Sequence, residues 1–414
     1  MLKKLLSLKM PKGSSKLIYW ILISMGLFGT VMVTSASMST FTSTRAVVSI
    51  WGKQMVFYLA SFLAMIKFAQ IFSFNFAKKY ELLLIGITLG FLLITRIFTT
   101  SAAAYNWIRI RGISIQPSEF AKVVIMIIIA NNLGTLPEVP WAQEMLHKLK
   151  LKETLKRVWP IIWGPVVSVL SFILIVLVYQ KDLGSAVVMT FIALFMLLCA
   201  QHPFLGKTQK FIFGLVFLLF IVVMVIISPI GAAWLDSSSM ADNYMIQRIT
   251  SIYYLFRPEN MTDSSLQQVK GLFSFAYGGL NGVGLGNSIQ KYGYLPAATT
   301  DYILAIVVEE LGIWGFLGIT AGYLLLIGTL LIYAMRVTSE RGRLFLIGTA
   351  SYLFIHYAFN VGGVTAILPL TGIPLLLISQ GGSSQMALFI AIGICQNVIA
   401  RDNTARQRKM EEQQ

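Results

Sequence analysis

Phe211-Ile212-Phe213-Gly214-Leu215-Val216-Phe217-Leu218-Leu219-Phe220-Ile221-Val222-Val223-Met224-Val225-Ile226-Ile227 carries no charged or amide side chain. As a helix it is about 25 Å long, at a rise of ~1.5 Å per residue. With its flanks, residues 210–230, it reaches the roughly 20 apolar residues that cross a bilayer core of about 30 Å. Its apolar residues follow one another without alternation. A membrane barrel strand alternates lipid-facing and lumen-facing residues, so that reading fails.

Comparable runs lie near 17–37, 54–73, 82–98, 119–134, 160–179, 185–200, 311–335, 344–362 and 383–400. The chain of 414 residues is 56% hydrophobic and 12% charged. A soluble domain carries roughly 25% charged residues. So few charges do not cover a water-facing surface of this size. Lipid offers no partner for backbone polar groups, which leaves helices that satisfy themselves. The sequence therefore predicts an all-α polytopic membrane protein of about ten transmembrane helices in one domain, 17–400.

The net charge is +16. It does not form one patch suited to nucleic acid, and no nucleic-acid partner is expected. The charges fall in short clusters between apolar runs, where membrane topology places them. With residues 1–16 in the cytoplasm, alternate segments put 21 of the 33 basic residues inside and 9 outside. Lys67, Arg96 and Lys122 fall within the runs. An even number of spans returns the basic tail, 401–414, to the cytoplasm. The largest outer segment, about 231–310, then lies between helices 7 and 8. Val33-Thr34-Ser35-Ala36-Ser37 resembles a signal-peptidase site, but the run before it is long for a signal peptide and is read as a retained first helix. Cys199 and Cys395 lie far apart within apolar runs and suggest neither a disulfide framework nor a metal site. The inside segment 135–159 interleaves basic residues with leucines, as at Lys148-Leu149-Lys150-Leu151-Lys152, and is read as an interfacial helix on anionic lipid.

Unusual residues gather in the outer segments. Trp107-Ile108-Arg109-Ile110-Arg111, if extended, puts Trp107, Arg109 and Arg111 on one face. Two guanidiniums suit a phosphate or pyrophosphate, whereas a lone Trp107 reads better as an interfacial anchor. In Gln116-Pro117-Ser118-Glu119-Phe120-Ala121-Lys122 the proline suits a helix start. Glu119 and Lys122 are three apart and can pair. Lys122 then enters the apolar run, which makes it a functional candidate, with a structural ion pair as the alternative. Asp182, in Gln180-Lys181-Asp182-Leu183-Gly184, reads first as a helix cap. The stretch Gly278–Ser288 holds Gly279, Gly282, Gly284 and Gly286, but it follows no strand and is no dinucleotide fingerprint. Asp301, before Ile303–Val308, can cap a helix or act as a base, and spacing alone favours the cap. Gly362-Gly363, Pro369, Gly372, Pro374 and Gly381-Gly382-Ser383-Ser384 make a non-helical outer segment. Such backbone at membrane depth lines a cavity or is buried.

Gln116-Pro117-Ser118-Glu119 with Lys122, Asp182-Leu183-Gly184, Gly284-Leu285-Gly286-Asn287-Ser288 with Gln290-Lys291, Thr300-Asp301-Tyr302, Glu309-Glu310-Leu311-Gly312, and Thr371-Gly372-Ile373-Pro374 with Gly381-Gly382-Ser383-Ser384 together resemble the SEDS family, that of FtsW, RodA and SpoVE. The motifs match in order along nearly the whole chain. The resemblance implies a ten-helix peptidoglycan glycosyltransferase that polymerises lipid II on the outer face of the bacterial cytoplasmic membrane. It implies work with a class B penicillin-binding protein and other divisome proteins. Gly284–Ser288 and Tyr294-Leu295-Pro296 resemble FtsW more than RodA. That implies septal synthesis and enrichment at the septum, with a RodA-type elongation role as the alternative. The chain departs from the family's usual pattern at Ala297, Thr299, Lys181, Asn106 and Gln380.

The same resemblance implies that Asp301 is the catalytic carboxylate, with Lys122, Glu119, Gln116, Lys291, Ser383 and Ser384 as substrate-binding residues; the two guanidiniums add Arg109 and Arg111 to that set by their own chemistry. A base must accept the proton of the attacking sugar hydroxyl. The pyrophosphate leaving group needs no proton but does need cations. Arg109, Arg111 and Lys122 can supply them, or a divalent cation such as Mg²⁺ held partly by substrate phosphates. No residue is assigned to a metal. A lipid II flippase would need similar contacts but access from both faces. A mere scaffold would leave the embedded Lys122 unexplained.

Overall fold

The structure, a computed structural model, describes residues 8–38, 44–98, 105–110, 113–135, 151–201, 205–236, 255, 263–369 and 371–413. Its helices in chain order are α1 (Lys16–Ser37), α2 (Thr44–Ile71), α3 (Phe74–Lys79), α4 (Glu81–Phe98), α5 (Pro117–Leu133), α6 (Leu151–Leu174), α7 (Leu183–Cys199), α8 (Leu205–Ile227), α9 (Pro229–Asp236), α10 (Asp263–Gly278), α11 (Ile303–Arg336), α12 (Glu340–Val364) and α13 (Gly382–Glu411). A π-helical turn, Ile175–Tyr179, continues α6. Strands β1 (Ile108–Ile110) and β2 (Ile113–Ile115) pair antiparallel, with Arg109 opposite Ser114.

Each of the ten apolar runs falls on a helix. Among the described residues six helices, α1, α2, α4, α11, α12 and α13, are long and apolar enough to cross a membrane, and shorter apolar stretches lie in α6 with its π turn, α7 and α8. The chain is a multi-pass helical membrane protein.

The outer segment 231–310 differs from its reading as one loop. It holds α9 and α10, and α11 begins at Ile303 rather than near 311. Glu309 and Glu310 ended the apolar run in sequence, yet both are fully buried and partnered inside the protein. Residues 237–254 and 256–262 lie outside the described residues, as does 136–150 of the basic segment 135–159; residues 151–159 open α6.

Burial sorts the helices into a core and a lipid-facing shell. The most apolar window of α13 is 89% buried and that of α12 72%, against 17% for α4. On α5 every residue but Phe120 is buried, so a helix apolar nearly all round is enclosed by others. It sits between α4, α7, α12 and α13. Leu82, Leu83, Ile87 and Phe91 of α4 are exposed, as a face turned to lipid would be.

The polar end of the core is set by helix starts. Pro117 opens α5, where its missing N–H costs nothing. Asp182 caps α7: its Oδ1 accepts from Ser185 N at 3.0 Å, the role its position suggests. Helix α11 is broken at Gly312, whose φ is +66°. There the glycine-rich loop crosses the helix. A Cβ on Gly312 would lie 2.2 Å from Leu280 O, and one on Gly282 2.3 Å from Glu310 O. Val283 N and Gly284 N donate to the carbonyls of Glu309 and Glu310, and Ile313 N to that of Gly279. The Glu309 carboxylate accepts from Ser288 Oγ at 2.6 Å and Ile289 N at 2.8 Å. This clasp fixes the segment that leads to Asp301.

Candidate active site

The starts of α5, α7, α11 and α13, with the last turns of α12, enclose a polar cavity of about 240 Å³. It lies at the α13 end opposite the chain termini; Ser384 and Arg401 are about 25 Å apart along that helix at ~1.5 Å per residue. A larger groove of about 780 Å³ lies between α1 and α11. No titratable group lines it, so it offers no acid–base chemistry.

Asp301 lines the polar cavity at the end of a tethered peptide. Asn360 Nδ2 donates to Asp301 O at 2.8 Å and to Ile373 O at 2.9 Å. Ser379 Oγ donates to Thr300 O at 2.7 Å and Gln380 N to Thr299 O at 2.8 Å. Two separate outer segments, 299–301 and 373–380, are thus tied together on the end of α12. Gly372 has a φ of +69°. A Cβ there would only touch Asp301 Oδ2, at 3.5 Å, so it is the backbone angle that calls for glycine beside the carboxylate.

The second group is a buried network. Lys122 Nζ lies 2.7 Å from Glu119 Oε1, one helical turn away, and the two side chains are 1% and 2% exposed. Tyr352 OH donates to Glu119 Oε2 at 3.0 Å. His356 Nδ1 lies 3.0 Å from Pro374 O. A carbonyl only accepts, so Nδ1 carries the proton and Nε2 accepts from Lys122 Nζ at 3.4 Å. A buried ion pair persists only when its remaining donors and acceptors are satisfied, and here α12 supplies both outer partners. The pair also borders the cavity, which a purely internal pair would not.

Asp182 Oδ2 accepts from Gln116 Nε2 at 2.8 Å and Asn106 Nδ2 at 3.0 Å. It is both a cap and a cavity wall. Among the described residues no three His, Cys, Asp or Glu side chains group to hold a metal ion.

Of the residues singled out in sequence, Asp301, Glu119, Lys122, Gln116 and Ser384 line this one cavity. Ser383 is beside it and accepts from Gln116 N at 3.3 Å. Arg109 stands exposed on the β1–β2 hairpin, outside the lining. Arg111 lies outside the described residues. Lys291 is a correction. Its ammonium is buried 3.0 Å from Glu310 Oε1 and donates to Gly286 O at 2.6 Å, away from the cavity. The run Gln290-Lys291 carried no mark of this, because its partner lies nineteen residues on, in an apolar helix. Sequence reasoning missed His356 and the second role of Asp182. His356 had a usable signal, as an ionisable residue inside an apolar run.

A family model described as cell cycle protein, spanning FtsW, RodA and SpoVE, matches residues 15–404. The chain belongs to this family. Among its FtsW-like relatives is the probable peptidoglycan glycosyltransferase FtsW of Bacillus subtilis (strain 168), 33% identical over 407 residues, covering 96% of this chain and 92% of that one. Stage V sporulation protein E of the same organism is 33% identical over 298 residues, 71% of this chain and 70% of that one. Two solved structures share the SEDS fold. A chain of a peptidoglycan synthase complex that coordinates polymerization and crosslinking superposes with a TM-score of 0.66 at 20% identity, covering 94% of this chain and 98% of that one. Rod shape determining protein RodA of Thermus thermophilus superposes with a TM-score of 0.58 at 19% identity, covering 94% and 97%.

Proposed function

We propose that this SEDS protein is a peptidoglycan glycosyltransferase that polymerises lipid II on the outer face of the bacterial cytoplasmic membrane. Its FtsW-like relatives support septal synthesis as its use and the division septum as its location. The observation that carries the reading is the shared cavity: a tethered carboxylate, Asp301, opens onto the same polar space as the buried Glu119–Lys122 pair.

In the proposed reaction Asp301 accepts the proton of a GlcNAc 4-hydroxyl. The hydroxyl oxygen attacks the anomeric carbon of a second lipid II, and the bond to undecaprenyl pyrophosphate breaks. The pyrophosphate leaves as an anion without a proton. Lys122, held by Glu119 and His356, offers a cation at the cavity wall, and Gln116 and Ser384 offer polar contacts. A divalent cation such as Mg²⁺ would take much of its shell from substrate phosphates and water, as Mg²⁺ commonly does. Of the cavity carboxylates, Glu119 is paired with Lys122, and Asp301 and Asp182 are the ones that would meet it.

The partner is proposed to be a class B penicillin-binding protein, with other divisome proteins around it. The test combines the purified protein, that partner and labelled lipid II, and reads glycan strands on a gel. Strands that vanish when this protein alone is omitted support the reading. Lipid II translocation without strands would replace it with a flippase.

A further inference from the structure

A second cavity, of about 360 Å³, lies at the end of the bundle that carries both termini. Its walls are the last turn of α2, the C-terminal half of α13 and the short segment before α1. Arg401, Thr404 and Arg408 of α13 line it at helical spacing, so they share one face. Lys12, Gln70 and Asn397 also line it, with Gln70 Nε2 donating to Lys9 O and Asn397 Nδ2 to Ala69 O, both at 2.7 Å. Three cations and no carboxylate appear in its lining. The nearest acid on α13, Asp402, is engaged by Thr338 and Arg406.

The segment that brings Lys12 there is built for its place. Gly13 has a φ of +86° and its carbonyl accepts from Asn403 Nδ2 at 2.8 Å. Ser15 exchanges two hydrogen bonds with Gln396, at 2.8 and 2.9 Å. A Cβ on Gly13 would meet Ala400 O at 3.0 Å. Arg401 is pinned too, donating to Phe72 O at 2.7 Å beyond the end of α2. The apolar part of α13 ends near residue 400, so the cavity sits at the depth of lipid headgroups on the basic side of the protein.

We propose that this cavity binds the phosphate of an anionic phospholipid headgroup in the cytoplasmic leaflet. Guanidinium groups match phosphate oxygens in forked geometry and Lys12 adds a point charge. Basic pockets between membrane helices on this side suit such headgroups.

Lys12 and Arg408 make no ion pair among the described residues, so both can be neutralised without breaking one. The experiment titrates phosphatidylglycerol into the purified full chain in detergent and counts bound lipid by native mass spectrometry. The wild type should show one tight phosphatidylglycerol step that phosphatidylcholine does not reproduce. Lys12→Gln/Arg408→Gln should weaken that step by about twenty-fivefold, at about fivefold per basic residue. Lys79→Gln/Lys409→Gln, which removes equal charge outside the cavity, should leave it in place. If the first double variant melts early, Lys12→Gln alone should still show its fivefold share. Equal losses in the two double variants, or equal binding of phosphatidylcholine, would overturn the site. Displacement of the lipid by millimolar inorganic phosphate would overturn the lipid in favour of free phosphate.

Discussion

Lys122 and Lys291 are both buried ammonium groups paired with a glutamate, at 2.7 and 3.0 Å. Removing one partner of a buried pair costs about 3–5 kcal/mol, because the other charge is left uncompensated. Lys291→Met should therefore lower the melting temperature sharply. Lys291→Met/Glu310→Gln should restore melting and polymerisation together, since that pair holds the loop and faces no cavity. Lys122→Met should also destabilise the protein. Glu119→Gln/Lys122→Met, however, should recover melting while polymerisation stays lost. Recovery of both would make that pair structural only. Sequence showed that Glu119 and Lys122 could meet, because three-residue spacing on a helix fixes neighbours. It could not show what Lys291 meets, since an ion pair between a loop and a helix depends on how the chain crosses itself.

At the scale of elements, the break in α11 is where the fold makes the site. Gly312 accepts a left-handed conformation, and the loop backbone crosses at the space its side chain would fill. Gly312→Ala adds about 1–3 kcal/mol of backbone strain and a clash with Leu280 O. The expected result is a markedly lower melting temperature and lost polymerisation. Gly318, on the same helix, has open space where a Cβ would stand, with nothing within 4 Å, and alanine is the better helix former by about 1 kcal/mol. Gly318→Ala should melt at or above the wild-type temperature. Equal damage from both would mean that the crossing at Gly312 is not what holds the loop. The ten apolar runs were legible because lipid imposes length and composition on any helix that meets it. The start of α11 was not, because its two buried glutamates look like a boundary until their partners are known.

Across the whole molecule the two ends of α13 do different work. The Gly382 end borders the polar cavity and the far end joins the basic termini. Composition and the length of the apolar runs made the membrane legible. The residues that share the cavity come from positions 106 to 384, and nothing in spacing alone could bring Asp182, Asp301 and His356 together. Motif resemblance supplied Asp301, while the tethers that hold it, Asn360 and Ser379, came only from the fold. The proposed function rests above all on Asp301 taking a proton during glycan polymerisation, a role worth about 10²–10⁴-fold in rate. The decisive variant is Asp301→Asn, purified with the penicillin-binding partner and supplied with labelled lipid II. It should keep wild-type melting and lipid II binding while glycan strands fall at least about a hundredfold; strands made at the wild-type rate would show that Asp301 is not the base.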